Sequence, residues 1–324
     1  MSEAENNPVN PSVGEAGFRV KMMYHPSHHV TDLNEAECWF ERVFGRPSTN
    51  LATTLGGVTL PPGRRMDYST FTSIGDVLFD TIDPKLYIVD GVQRYPTVTT
   101  PHLKGFGWYV DGVTELFRAL KDQGFRLIGQ NDEVTEGDEP PSAGGMPLFF
   151  TLPEETGLRY EFLPQIPFPL DPRVKPDWVL PAVSDQDPLG IERCSHHTVL
   201  TGNPDRQLRL FTGSLGGKVI HEGRNETLRA TSTYVHLADA VYEFAVPDAG
   251  TPAHADWASN TPRDTYHAIT FKVADLGRVE RHLKAEGVGL RTRTDHLIVT
   301  DPATSLGVPW GFADALVPGD PRIA

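Results

Sequence analysis

Histidine is the side chain best suited to bind a metal or move a proton near neutral pH. The chain gathers it in two short clusters, HPSHH with His25, His28 and His29, and SHHT with His196 and His197. Each cluster borders an apolar run that reads as a strand, and neighbours on a strand point to opposite faces. One of His196 and His197 therefore faces a site and the other faces away. Acids stand inside apolar runs at Asp80 (GDVLFD), Glu161 (GLRYEF) and Glu243 (ADAVYE). A buried carboxylate such as Glu243 needs a metal or a cation beside it, because leaving it uncompensated is costly. His267 opens another run, HAITFKV, while His221, His236, His254 and His296 have no spacing that favours chemistry. The glycine pairs in SAGGMP and SLGGK lack a phosphate-loop context, and there is no serine nucleophile elbow or Cys/His triad.

The elements that must position these residues repeat. Four segments share a short apolar strand, a polar helix start, an amphipathic helix and a closing glycine. They run from His25 to Gly45, Gly105 to Gly124, His196 to Gly217 and Ala268 to Gly287. The helix starts fall at Asp32, Asn203 and Asp275, residues whose side-chain oxygen can take an orphan backbone N–H, and at Asp111-Gly112 in the second copy. Apolar residues keep helical spacing at Trp39, Phe40, Val43 and Phe44, and at Leu116, Phe117 and Leu120. About three short strands follow each helix, so the unit is a strand, a helix and three strands.

A chain of 324 residues suggests two domains. The Pro-rich stretch from Pro164 to Pro188 reads as an extended linker between units two and three. The expected organisation is a loose polar tail (1–17), a first domain (18–166), a linker (167–190) and a second domain (191–318). With 39% hydrophobic and 22% charged residues the chain is neither disordered nor membrane-spanning. A net charge of -14 argues against nucleic acid and anionic membranes as partners. The polar N-terminus lacks a secretory pattern, which gives a cytoplasmic expectation. Of the two cysteines, Cys38 sits in a helix pattern and reads as a small apolar filler.

On these four units the sequence resembles the vicinal oxygen chelate superfamily, which includes glyoxalases, bleomycin-resistance proteins and extradiol dioxygenases. The resemblance covers about residues 18–166 and 191–318. It implies an α+β fold of four βαβββ modules paired into two cup-shaped half-barrels, with a divalent metal held in a cup. Four modules in one chain look most like the single-chain extradiol dioxygenases.

In that family the ligands come from the first strand of a unit and from its last. Counting seven residues back from each helix start lands on His25, Gly105, His196 and Ala268, with His267 one residue further out. The resemblance then implies one metal set of His196, Glu243 and His267, which suits iron(II), with manganese, zinc, cobalt or nickel as alternatives. A second set, His25, Asp80 and Glu161, is harder and richer in oxygen. The last strand of the fourth unit, LGVPWGF, departs from the family because it carries no acid. His197 should point away from the cup, and a β-bulge would be needed to turn His267 into it. Tyr109 and Lys272 are expected at catalytic positions, and His29 and Trp310 along the substrate. The implied activity is ring cleavage of a catechol-like aromatic. The alternatives are a non-redox metal-dependent lyase, isomerase or hydrolase, or a metal-free binding protein. The partner is a small molecule, and a homo-oligomer is compatible with the family.

Overall fold

Two sheets realise the alternation of apolar and polar residues along the strand runs. The computed structural model describes residues 17–54, 66–89, 91–143, 145–166 and 170–322. The expected tail thus lies almost wholly outside the described residues.

The first sheet contains β1 (Arg19–His29), β2 (Ser48–Asn50), β3 (Ser69–Ile74), β4 (Val77–Ile82), β5 (His102–Asp111), β6 (Leu127–Ile128), β7 (Phe149–Thr151) and β8 (Glu161–Leu163). Their spatial order is β2-β3-β4-β1-β5-β8-β7-β6. The second sheet contains β9 (Ile191–Leu200), β10 (Lys218–Asn225), β11 (Ala230–Leu237), β12 (Ala240–Pro247), β13 (Thr265–Val273), β14 (Leu290–Arg293), β15 (Leu297–Thr300) and β16 (Trp310–Ala313). Its order, β10-β11-β12-β9-β13-β16-β15-β14, repeats the first. In both sheets the two leading strands pair antiparallel at the centre, and each lies parallel to the last strand of its own unit. This is the expected α+β fold of paired cups.

Five helices matter for the site: α1 (Leu33–Trp39), α2 (Val113–Asp122), α3 (Pro204–Phe211), α4 (Pro252–Asn260) and α5 (Leu276–Ala285). Asp32 caps α1 by accepting from the Glu35 N–H at 3.0 Å, and Asp275 caps α5 by accepting from Gly277 at 2.7 Å. Asn203 makes no such bond, and Pro204 fills the first helical position, where the missing N–H costs nothing. The first helix also departs from the expected regular turns: it continues as a π-helix over Phe40–Phe44 and ends at Gly45 with φ +64°. In the left-handed region a side chain would be strained.

The amphipathic faces are buried as their spacing requires, with Phe40, Val43, Leu116, Phe117 and Leu120 all sealed in the core. That core joins the two halves. Phe44 lies 6.0 Å from Phe271 and 5.1 Å from Trp310, and the Trp108 indole donates to the Tyr242 hydroxyl at 2.8 Å. Burying this many aromatic rings, each removing roughly 150–250 Å² from water, fixes one sheet against the other. The stretch read as a linker also does more than connect: Asp171 and Arg173 are buried as an ion pair at 2.7 Å. Cys38 is exposed, not a core filler, since it lies on the outer face of α1. Among the described residues no helix is long and apolar enough to cross a membrane.

Candidate functional site

The second sheet curves around a cavity of about 580 Å³. His196 on β9 and Glu243 on β12 face it together, because Thr198 pairs with Glu243 and His196 lies two residues earlier on the same face. His196 Nε2 is 3.6 Å from Glu243 Oε2, beyond hydrogen-bond length. Glu243 is fully buried, and four side chains donate to it. Asn225 at 2.7 Å, Ser232 at 2.7 Å and Tyr234 at 2.8 Å meet Oε1, while Thr198 at 2.7 Å meets Oε2. Burial alone would raise its pKa, but His196 and these donors reverse the shift and hold the group below the usual carboxylate range. Burial pushes His196 below its ordinary value, against the opposing pull of the Glu243 charge. Sequence reasoning missed the cradle, although Ser232 and Tyr234 alternate on β11, where Tyr234 pairs directly with Glu243.

His267 lines the same cavity. Thr198 pairs with Ala268 and Val199 with Tyr266, which leaves His267 as the extra residue of a β-bulge at the start of β13. Its Nδ1 donates to Asp256 Oδ2 at 2.6 Å. A neutral ring that donates from Nδ1 keeps its lone pair on Nε2. Asp256 lies on α4, a helix inserted between units three and four, and no spacing pattern pointed to it. His197 faces away from the cavity: its ring nitrogens meet the Tyr266 hydroxyl at 2.6 Å and the Cys194 thiol at 3.5 Å inside the core.

Two residues expected around this cup are elsewhere. Trp310 is fully buried on the helix side, against Phe44 and Phe79, and its indole donates to the Ser305 carbonyl. Alternation puts Gly311, not Trp310, on the cavity wall. Lys272 is ion-paired with Glu192 near the far end of β13 and does not line the cavity.

The first sheet places His25 Nε2 3.7 Å from Asp80 Oδ2, both buried, with the Ser69 hydroxyl donating to Asp80. Glu161 stands on β8 beside Gly107, where a Cβ would come within 2.6 Å of the Glu161 side chain. Desolvation pushes Asp80 and Glu161 up to about 7. Burial, helped by the Arg173 cation, pushes His25 down to about 3. Tyr109 stacks on Tyr24 at 4.7 Å inside an aromatic cluster that includes Phe71, Tyr87 and Phe150. His29 is buried 4.8 Å from Tyr95, and burial drives it down to about 2. Tyr109 is a packing residue of that cluster, and His29 lies outside it, beside Tyr95 and His102.

Among the described residues, neither expected metal set closes into a group of three ligands. The register gives the reason. Gly107 pairs with Glu161 and Thr270 with Gly311, so Gly105 and Ala268 occupy in units two and four the position that His25 and His196 hold in units one and three. The fourth unit thus supplies Ala268 and Gly311 where the third supplies a histidine and a glutamate. His267 donates Nδ1–H to Asp256 and both oxygens of Glu243 accept hydrogen bonds, which is how metal-ligating side chains are commonly oriented. His196, Glu243 and His267 line one cavity without forming a group of three that could share an ion among the described residues.

Residues 193–302 match the model of the Glyoxalase/Bleomycin resistance protein/Dioxygenase superfamily. The matched segment lies in the second half of the chain, and both halves share the same paired-cup strand order. The fold of the chain is similar to that of a triple mutant of 4-hydroxymandelate synthase from Streptomyces coelicolor, at 15% identity and a TM-score of 0.57, over 92% of this chain and 94% of that one. It is also similar to the 2,3-dioxygenase LapB from Pseudomonas, at 14% identity and 0.55, over 94% and 96% of the two chains. The Mn(II)-bound glyoxalase from Novosphingobium aromaticivorans aligns at 11% identity and 0.56, over 94% and 85%. No curated protein matches the sequence.

Proposed function

We propose that the chain is an enzyme whose working site is the C-terminal cup, and that it carries out non-redox proton transfer on a small oxygen-bearing molecule, of the isomerase, lyase or hydrolase kind. One observation supports this most: two histidines line a single cavity, each beside a carboxylate. In this reading His267 Nε2 takes a proton from a carbon next to a carbonyl. The imidazolium that forms is stabilised by Asp256, which also fixes the tautomer. The developing enolate oxygen accepts a hydrogen bond from His196, whose Nδ1 meets the Ser195 hydroxyl at 3.1 Å. Returning the proton to the neighbouring carbon completes an isomerisation. Expulsion of a leaving group instead gives a lyase.

The ring-cleaving reading implied by four modules needs three ligands on one ion, and among the described residues no group of three lies close enough together. The test is solvent exchange. With chelator present, hydroxyketones, 1,2-dicarbonyls and thioesters in deuterated buffer are followed by proton NMR. Exchange at a carbon next to a carbonyl, falling roughly 10²–10⁴-fold in His267→Gln and shifting its pH profile in Asp256→Asn, supports the proposal. Stoichiometric iron or manganese lost in His196→Ala, with oxygen uptake on catechols, would overturn it in favour of the dioxygenase.

A further inference from the structure

A second cavity, about 860 Å³, lies between the two halves and is built from both. Lys104 on β5 and Arg159 just before β8 come from the first half, Arg263 and Arg291 from the second. The acids on its walls are all committed to bases. Asp132 pairs with Arg159 at 3.4 Å, Glu154 with Arg263 at 3.0 Å, Asp264 with Arg206 at 2.6 Å and Asp256 with His267 at 2.6 Å. Lys104 and Arg291 make no ion pair among the described residues, so the cleft keeps a positive surplus in a chain whose net charge is -14. Burial and the nearby Arg263 and Arg159 cations lower the pKa of Lys104. An anion placed there would relieve that repulsion.

The cleft is continuous with the cup. His267, Arg291, Pro252 and Pro309 line both cavities, so the acid–base histidine stands at the junction and Arg291 reaches either side. We infer that the substrate is an elongated organic anion: its reacting end occupies the cup, and its carboxylate or phosphate end lies in the interdomain cleft against Lys104 and Arg291. The inference rests on the proposed acid–base role of the cup for its reacting end. It also gives the first half a task, because Lys104 and Arg159 belong to it.

Calorimetric titration of the full chain with phenylbutyrate, its neutral amide and inorganic phosphate tests this without turnover. The acid should bind and the amide bind about tenfold more weakly or not at all, as for loss of a charge-assisted contact. Lys104→Gln and Arg291→Gln should each weaken the anion by about tenfold, with Lys104→Arg restoring most of the affinity. Whichever of phosphate and phenylbutyrate depends more on these two cations identifies the anionic end. Equal binding of acid and amide, affinities unchanged in both variants, or no binding of either anion would overturn the inference. His196→Gln separates the two claims, since it should abolish proton exchange and leave anion binding intact. Anion binding that follows Lys104 and Arg291 in a wild type without exchange would fell the acid–base reading alone.

Discussion

His25 stands 3.7 Å from Asp80 in one cup, and His196 stands 3.6 Å from Glu243 in the other. The strand positions are equivalent, yet the pKa values of the two acids move in opposite directions. Asp80 has one hydroxyl donor, and its burial pushes the carboxyl up to about 7. Glu243 has four donors and is held below the usual carboxylate range. A buried histidine–acid pair is therefore not a unit with fixed properties. The coupling to the histidine first, and then the donors around the acid, decide whether desolvation is outweighed.

The largest expected effect comes from removing the anion itself. Glu243→Ala strands four donors, of which Thr198 and Ser232 are buried, and should cost about 3–5 kcal/mol of unfolding free energy in urea titration, and a loss below about 1 kcal/mol would break the comparison. Glu243→Gln has a pH signature. Because the folded pKa is depressed, Glu243 contributes stability above the usual carboxylate range and loses it as pH falls through the folded value. The cost of the glutamine variant should therefore be greatest at neutral pH and shrink in acid.

Ser232→Ala should come next, at about 1–3 kcal/mol. It should also move the acid limb of the stability profile to higher pH, because Glu243 loses a donor. Asp80→Asn should change stability by no more than about 1 kcal/mol in mild acid, where the wild-type carboxyl is already protonated. The sign of its pH dependence is reversed. A raised folded pKa stabilises below the unfolded value of 3.8 and loses that contribution as pH rises through about 7. The asparagine variant should thus gain on the wild type between mild acid and pH above 7. An unchanged difference would show that Asp80 is ionised in the folded protein. Smallest of all, Lys272→Gln breaks a half-exposed ion pair and should cost about 0–1 kcal/mol, with no change in ligand binding to the cup.

Much of this architecture was legible along the chain. The four repeats, their helix starts and the period-two count placed His25, His196, Asp80, Glu161 and Glu243 on facing strands, because alternation is a local property of extended backbone. Trp310, expected along the substrate from the last strand of the fourth unit, is a core residue instead. The strand pairing shows the face: Gly311 pairs with Thr270 and lines the cavity, and Trp310 packs behind it. Lys272 was misjudged for a related reason, since alternation gives a face but not the distance along the strand from the cavity.

Local order along the chain carries the modules, their succession, and the histidine and acid at matching places. What those residues become depends on packing between elements. Asn225, Ser232, Tyr234 and Thr198 converge on one carboxylate from three strands, Asp256 reaches His267 from an inserted helix, and Lys104 and Arg291 line one cleft from the two halves. These residues sit on different elements, so the period of no single strand or helix encodes them. The charge state of a buried group depends on all of its neighbours at once.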